Sequence, residues 1–268
     1  MSTDILFERQ GDGVIVTLNR PDVRNALTPE MIAALADFLR EVRVDPVIRY
    51  LLIQGAGDHF SAGGDVAAYA RMLEQQPLQM SAAFERRVRG NVEAFLELAS
   101  LPIPVISLVR GAAAGAGLSL ILASDFVLAS EDAILVFAQP RIGLPLDLAL
   151  TYLLPRVVGP KAARKLALIG ARVTAAEGHA LGIIDELHPK AALEAALAAL
   201  LKSLREVAHK AAGRSKTLLL ESETRSLIEQ MEAEVRAIGQ CCIEPDFAEG
   251  VTAFLEKRRP RFGLGHDG

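Results

Sequence analysis

The chain has 268 residues, 51% of them hydrophobic and 23% charged, so it can bury a sizeable core and is not a disordered chain. Its 29 basic and 33 acidic residues leave a net charge of −4, which excludes binding nucleic acid or an anionic membrane by bulk electrostatics. The start, MSTDILFERQGDG, lacks a basic segment followed by an apolar run, and the longest apolar stretch, residues 111–123, is shorter than the ~20 residues a membrane helix needs. The two cysteines, Cys241 and Cys242, are adjacent and poorly placed for a disulfide. A cytoplasmic protein without a membrane partner is expected.

In chain order, Val14–Leu18 alternates like a strand, and Asn19–Asp22 reads as a turn. Thr28-Pro29-Glu30 supplies an N-cap, a first-turn proline and an acid, and Ile32, Leu35, Leu39 and Val42 then recur at helical spacing. Tyr50–Ile53 is a second strand, followed by the glycine-rich turn GAGDHFSAGGD (55–65) and a helix from Val66. Residues 80–99 read as a helix, and Val105–Val109 as a strand that runs into RGAAAGAG, a second glycine-rich turn. FVLAS (126–130) and ILVF (134–137) are short buried strands, and GIIDEL (182–187) is the last. Thr174 and Glu177 form a capping box, and helices fill most of 190–239. Strands alternating with helices predict an α/β core with a largely parallel sheet over 1–200, and a helical region over 201–268.

Two glycine-rich turns after two buried strands bring bare backbone N–H groups forward, either to pack a strand against a helix or, if the turns converge, to form an oxyanion hole. Gly115-Ala116-Gly117 is no dinucleotide fingerprint, because Leu120 stands where the third glycine belongs. Ser119 lacks the glycine of a nucleophile elbow, and His59, His179, His188, His209 and His266 are scattered, with no triad and no metal site.

The stretches NRPDVRNALT (19–28), HFSAGGDV (59–66), PVISLVRGAAAGAGLSLILASDFVLAS (104–130), LPRVVGPKAARKL (154–166) and DFAEGVTAFLEKRRPRF (246–262) together resemble the crotonase superfamily, the enoyl-CoA hydratase/isomerase family. The resemblance implies a fold of repeated ββα units with a C-terminal helical region that builds a homotrimer or a dimer of trimers. It implies a coenzyme A thioester as substrate, with no metal or redox cofactor. By position, Gly64 and Ala116 become the oxyanion donors. Arg24, Ala26, Leu27, Ala62, Asp65, Val66, Phe254 and Lys257 become coenzyme A contacts, the last two reaching the ligand from a neighbouring subunit.

The family's hydratases carry glutamates at the positions of Ser119 and Gln139, and neither is an acid here. Asp147, eight residues after Gln139 and flanked by Leu144, Pro145, Leu146 and Leu148, matches an aspartate of family isomerases. The expected reaction is therefore a double-bond shift with Asp147 as the one base, in fatty-acid or aromatic-acid breakdown. The alternatives are hydration by atypical acids, thioester hydrolysis, dehalogenation with Asp147 as nucleophile, a non-catalytic coenzyme A- or RNA-binding relative, and Asp147 as a mere helix cap. The chain's lack of tryptophan argues against dehalogenation, since the family's dehalogenases carry one near the position of Gln139.

Overall fold

The structure, a computed structural model, describes residues 3–75 and 77–263. The chain divides into two compact units, Met1–Glu194 and Ala195–Gly268.

In the first unit β1 (Ile5–Gln10) and β2 (Gly13–Leu18) form an antiparallel hairpin whose turn uses Gly11 in a left-handed conformation, φ +62°. The helix α1 (Pro29–Val44) starts where the sequence predicts: the Thr28 hydroxyl accepts from Met31 N–H, and the face carrying Met31, Ile32, Leu35, Leu39 and Val42 is buried. β3 (Tyr50–Gly55) lies parallel to β2, and α2 (Val66–Gln75) and α3 (Met80–Ala99) follow it. β4 (Val105–Val109), buried at every residue, leads directly into β5 (Ala112–Ala114) and α4 (Ala116–Leu122). β6 (Phe126–Ser130) and β7 (Ile134–Val136) repeat that step before α5 (Leu150–Val158). α6 (Pro160–Leu168), β8 (Arg172–Thr174), α7 (Ala175–Ala180) and β9 (Glu186–His188) complete the unit.

The large sheet has the order β1-β2-β3-β4-β6-β9 and is parallel beyond its first hairpin, while β5-β7-β8 form a small second sheet. After β4, and again after β6, the chain leaves the large sheet within a few residues and enters the small one, which makes each unit a ββα. Because β3 and β4 are parallel neighbours, the turns at their C-terminal ends are also neighbours, and Ser61 pairs with Ala113 as a parallel bridge.

Two sequence expectations need correction. Ala112–Ala114 is strand β5 and not part of a turn; Gly111, at φ +53°, and Gly115, at φ +50°, turn the chain on either side of it. Within GIIDEL the strand begins only at Glu186, because Ile183 and Ile184 bury their side chains while their N–H groups fold back to Gly178 O. The bonding to β6 starts with Asp185 N–H to Val127 O at 3.0 Å, and Glu186 is the first residue in register, opposite Leu128. The three-residue strands β5 and β8 carry no alternation long enough to read.

The second unit is helical. It takes up α8 (Leu193–Arg205) from Ala195 on, then α9 (His209–Ser222), α10 (Leu227–Cys242) and α11 (Pro245–Leu255). α10 opens on a capping box in which Ser226 and Glu229 bond each other's backbone N–H. Among the described residues no helix is long and apolar enough to cross a membrane.

Candidate active site

The turn after β3 is held on two sides. Leu27 N–H donates to Gly63 O (2.7 Å), Asp65 N–H to Leu27 O (3.2 Å), and Ala62 N–H to Arg24 O (2.7 Å), which ties the turn to the first motif. Toward β5, Ala114 N–H donates to Ser61 O at 2.8 Å. The buried Ser61 hydroxyl donates to Asn25 O at 2.9 Å and accepts from Gly63 N–H at 3.1 Å. Asn25, fully buried, accepts from Arg20 N–H and donates to Ala56 O and His59 O. Neither Ser61 nor Asn25 is a residue the sequence reading singled out, since a supporting hydrogen bond leaves no periodicity or spacing to detect. Ser61→Ala is expected to cost about 1–3 kcal/mol of stability in urea unfolding, because it strands a buried N–H and a buried carbonyl.

At Gly63, φ is +85°, and a Cβ there would stand 2.6 Å from Ala114 O and 3.2 Å from Ala116 N, so a side chain is excluded. This close approach sets the two glycine-rich turns against each other. Among the described residues, the N–H groups of Gly64 and Ala116 have no acceptor in the protein. Both residues line one narrow cavity with Gly115, Gln139, Asp147 and Tyr69.

Asp147 lies in the segment between β7 and α5. A 3-10 turn, Gln139–Ile142, follows β7, and the Gln139 amide donates from Nε2 to Asp147 Oδ1 at 3.1 Å. Gln139 is only 7% exposed, and its Oε1 is buried without a partner among the described residues. Leu148 and Ala149 are both left-handed, at φ +47° and +67°, an uncommon conformation for residues with side chains. Ala149 occupies the N-cap of α5 and no side chain bonds the free N–H groups there. The Asp147 carboxylate is therefore not the cap of that helix. Burial pushes its pKa above the ordinary carboxylate value, against the opposing effect of the Gln139 bond and its own backbone N–H.

A larger cavity, of about 900 Å³, shares Val66, Tyr69, Val88, Ile142, Leu144 and Asp147 with the narrow one, so the two are continuous. Tyr69, Leu73, Met80 and Phe84 line it. Tyr69 stands at the junction, where a Cβ on Gly64 would lie 2.0 Å from its hydroxyl oxygen. Its ring meets Phe84 edge-on at 4.9 Å, with the Arg87 guanidinium 5.2 Å from its centroid.

Arg24, Ala26, Leu27, Ala62, Asp65 and Val66 are brought together around the first turn, Ala26 and Leu27 buried, Arg24 and Val66 exposed. The Asp65 carboxylate accepts from Ala68 N–H at the start of α2 (3.1 Å) and from Arg20 (3.2 Å). Burial raises its pKa, but these bonds outweigh it and hold the group below its ordinary value. Its side chain is thus a helix cap and an ion-pair partner. Arg20, which sequence reasoning passed over, also donates to Ala26 O at 2.7 Å. His59 accepts from Ala112 N–H and braces the second turn. His266 lies outside the described residues. In the second unit, Phe254 is 82% exposed and lines a separate cavity of about 480 Å³ with Lys210, Arg214 and Phe247; Lys257 is exposed just beyond α11. Ser119 is fully buried in α4, its hydroxyl without a partner among the described residues, and it does not line the narrow cavity.

A model of the enoyl-CoA hydratase/isomerase family matches residues 9–264. The 1,2-epoxyphenylacetyl-CoA isomerase of Escherichia coli (strain K12) is 37% identical over 250 residues, covering 92% of this chain and 93% of its own. The crystal structure of an enoyl-CoA hydratase from Polaromonas sp. JS666 superposes with a TM-score of 0.89 at 30% identity, covering 97% of this chain and 99% of its own. A putative enoyl-CoA hydratase from Thermobifida fusca YX, solved in complex with acetoacetyl-CoA, matches with a TM-score of 0.79 at 32% identity, covering 87% of this chain and 92% of its own.

Proposed function

The chain belongs to the enoyl-CoA hydratase/isomerase family, and from that membership we propose that it shifts a double bond in an acyl-CoA thioester, with Asp147 as the single base. The observation that carries this reading is the position of Asp147. Among the described residues it is the one carboxylate lining the narrow cavity with Gly64 and Ala116, while Ser119 and Gln139 supply no acid.

The thioester oxygen accepts from the Gly64 and Ala116 N–H groups. Asp147 then takes a proton from an acyl carbon next to the double bond, and the C–H electron pair moves through the chain onto that oxygen as a dienolate. The charge develops where two preorganised donors already point. The same carboxyl returns the proton at another carbon, the thioester carbonyl re-forms, and Asp147 is again ionised. No atom is gained or lost. A raised pKa suits the base, because a carboxylate at its ordinary value holds a proton too weakly to capture one from carbon.

The large cavity holds the acyl group, and its apolar lining favours hydrocarbon or aromatic chains. Coenzyme A lies along Arg24, Ala26, Leu27, Ala62, Asp65 and Val66, with Asp65 contributing backbone alone, since its carboxylate is engaged by Arg20 and α2. Phe254 and Lys257 complete the coenzyme site from a neighbouring subunit. Exposed Leu227, Ile228, Met231, Val235 and Ile238 on α10 make an apolar stripe that favours a homotrimer or a dimer of trimers. That a relative is named an isomerase of 1,2-epoxyphenylacetyl-CoA is in keeping with the reaction class.

The test is to incubate the protein with 3-enoyl- and 2-enoyl-CoA in deuterated water. Bond migration with deuterium uptake at carbon is the expected result. Accumulation of 3-hydroxyacyl-CoA would overturn the isomerase reading in favour of hydration, and release of free coenzyme A would make the chain a hydrolase.

A further inference from the structure

We propose that Gln139 is the positioning residue of Asp147 and follows its protonation state: the amide donates from Nε2 while Asp147 is ionised, and turns to accept at Oε1 once Asp147 holds the proton. The inference rests on the reading of Asp147 as the base.

Three observations converge on it. The Nε2–Oδ1 bond, 3.1 Å long, is the one side-chain hydrogen bond the Asp147 carboxylate makes among the described residues. Gln139 is held against the second turn, since a Cβ on Gly115 would touch its amide carbon and nitrogen at 3.9 Å. Its other amide atom, Oε1, is buried and unpartnered, an arrangement native side chains seldom keep without a use. An acceptor that idles while the neighbouring carboxylate is charged is the acceptor a protonated carboxyl needs. An amide is nearly symmetric in shape, so a half-turn about Cγ–Cδ exchanges Nε2 for Oε1 in the same space.

The other charged and titratable groups around Asp147 leave this task to Gln139. Tyr69 faces it from α2, and burial, partly opposed by Arg87, keeps that hydroxyl protonated. From α3, Arg87 lines the narrow cavity, and Glu85 and Arg89 line the large one. None forms an ion pair with Asp147 among the described residues. Gln139 therefore sets both the direction of the carboxylate and the balance between its two forms.

The experiment compares Gln139→Met and Gln139→Glu with wild type and Asp147→Asn. Two quantities are read: the pH profile of deuterium exchange into acyl-CoA, and the infrared carboxyl band that titrates in wild type and is missing in Asp147→Asn. Methionine fills the same space without a donor, so kcat is expected to fall about 10-fold with little change in KM, and the acid limb to move to higher pH. Gln139→Glu should move that limb further, because a second ionised carboxylate repels the first. Limbs and infrared midpoints that stay put in both variants, whatever happens to melting temperature, would reduce Gln139 to packing and overturn the proposal. An infrared midpoint that moves while Asp147→Asn still exchanges deuterium at the wild-type rate would uphold Gln139 as the partner of Asp147 and sink Asp147 as the base.

Discussion

Asp147→Asn is expected to lower kcat for bond migration by about 10²–10⁴-fold, the usual worth of a positioned general base. Asparagine keeps the size of the side chain and accepts the Gln139 Nε2–H, so the loss should fall on kcat and leave KM nearly unchanged. The pH dependence follows from the direction of the Asp147 shift. In wild type, activity should fall on the acid side as pH drops through the raised pKa, which lies above the ordinary carboxylate value of 3.8. Stability should move the opposite way. A carboxyl whose pKa is raised by folding contributes most below its unfolded pKa and loses that contribution as pH rises through the folded value. At neutral pH the ionised Asp147 therefore weakens the fold, and Asp147→Asn should unfold at higher urea than wild type. That gap should close as pH falls below 3.8, the two limbs being measured by urea titrations at several pH values. A variant as active as wild type would refute the one-base mechanism, and one less stable at every pH would refute the account of burial.

Gly64→Ala is expected to lower kcat/KM by about 10²-fold, the scale of losing one oxyanion donor. The N–H survives the substitution, so the loss is one of geometry. The new Cβ would stand 2.0 Å from the Tyr69 hydroxyl and 3.0 Å from its ring carbon Cζ. Retreat of the ring into the large cavity would break its contacts with Phe84 at 4.9 Å and with Arg87 at 5.2 Å. The turn yields instead and carries the Gly64 N–H off its line. Adding Tyr69→Phe removes the closest of these contacts, and the double variant should recover part of the activity. Full activity in Gly64→Ala alone would remove Gly64 from the donor pair, and no recovery in the double variant would place the damage elsewhere.

Much of this site is legible in the sequence because its parts follow strands that can be read. β3 and β4 are mostly apolar runs, and parallel neighbours bring their C-terminal turns together, so the meeting of Gly64 with Ala116 follows from the pattern. The arrival of Asp147 does not. It depends on a 3-10 turn and on two consecutive left-handed residues, Leu148 and Ala149, that no propensity favours. The braces Asn25, Ser61 and Arg20 are hidden for a related reason: each is a common loop residue until its partners, 31 to 45 positions away, are known. Short strands such as β5, three alanines long, owe their existence to the neighbours they pair with.

The proposed donors are main chain, which has a consequence for how this scaffold can change. Every residue except proline carries an amide hydrogen, so sequence drift at positions 64 and 116 can distort these donors but almost never delete them. The side chains proposed to handle the proton stand on other segments, Gln139 after β7 and Asp147 before α5. On the proposed reading, gripping a carbonyl and moving a proton rest on different parts of the chain, so substitutions at 139 and 147 can alter the second while the main chain keeps the first.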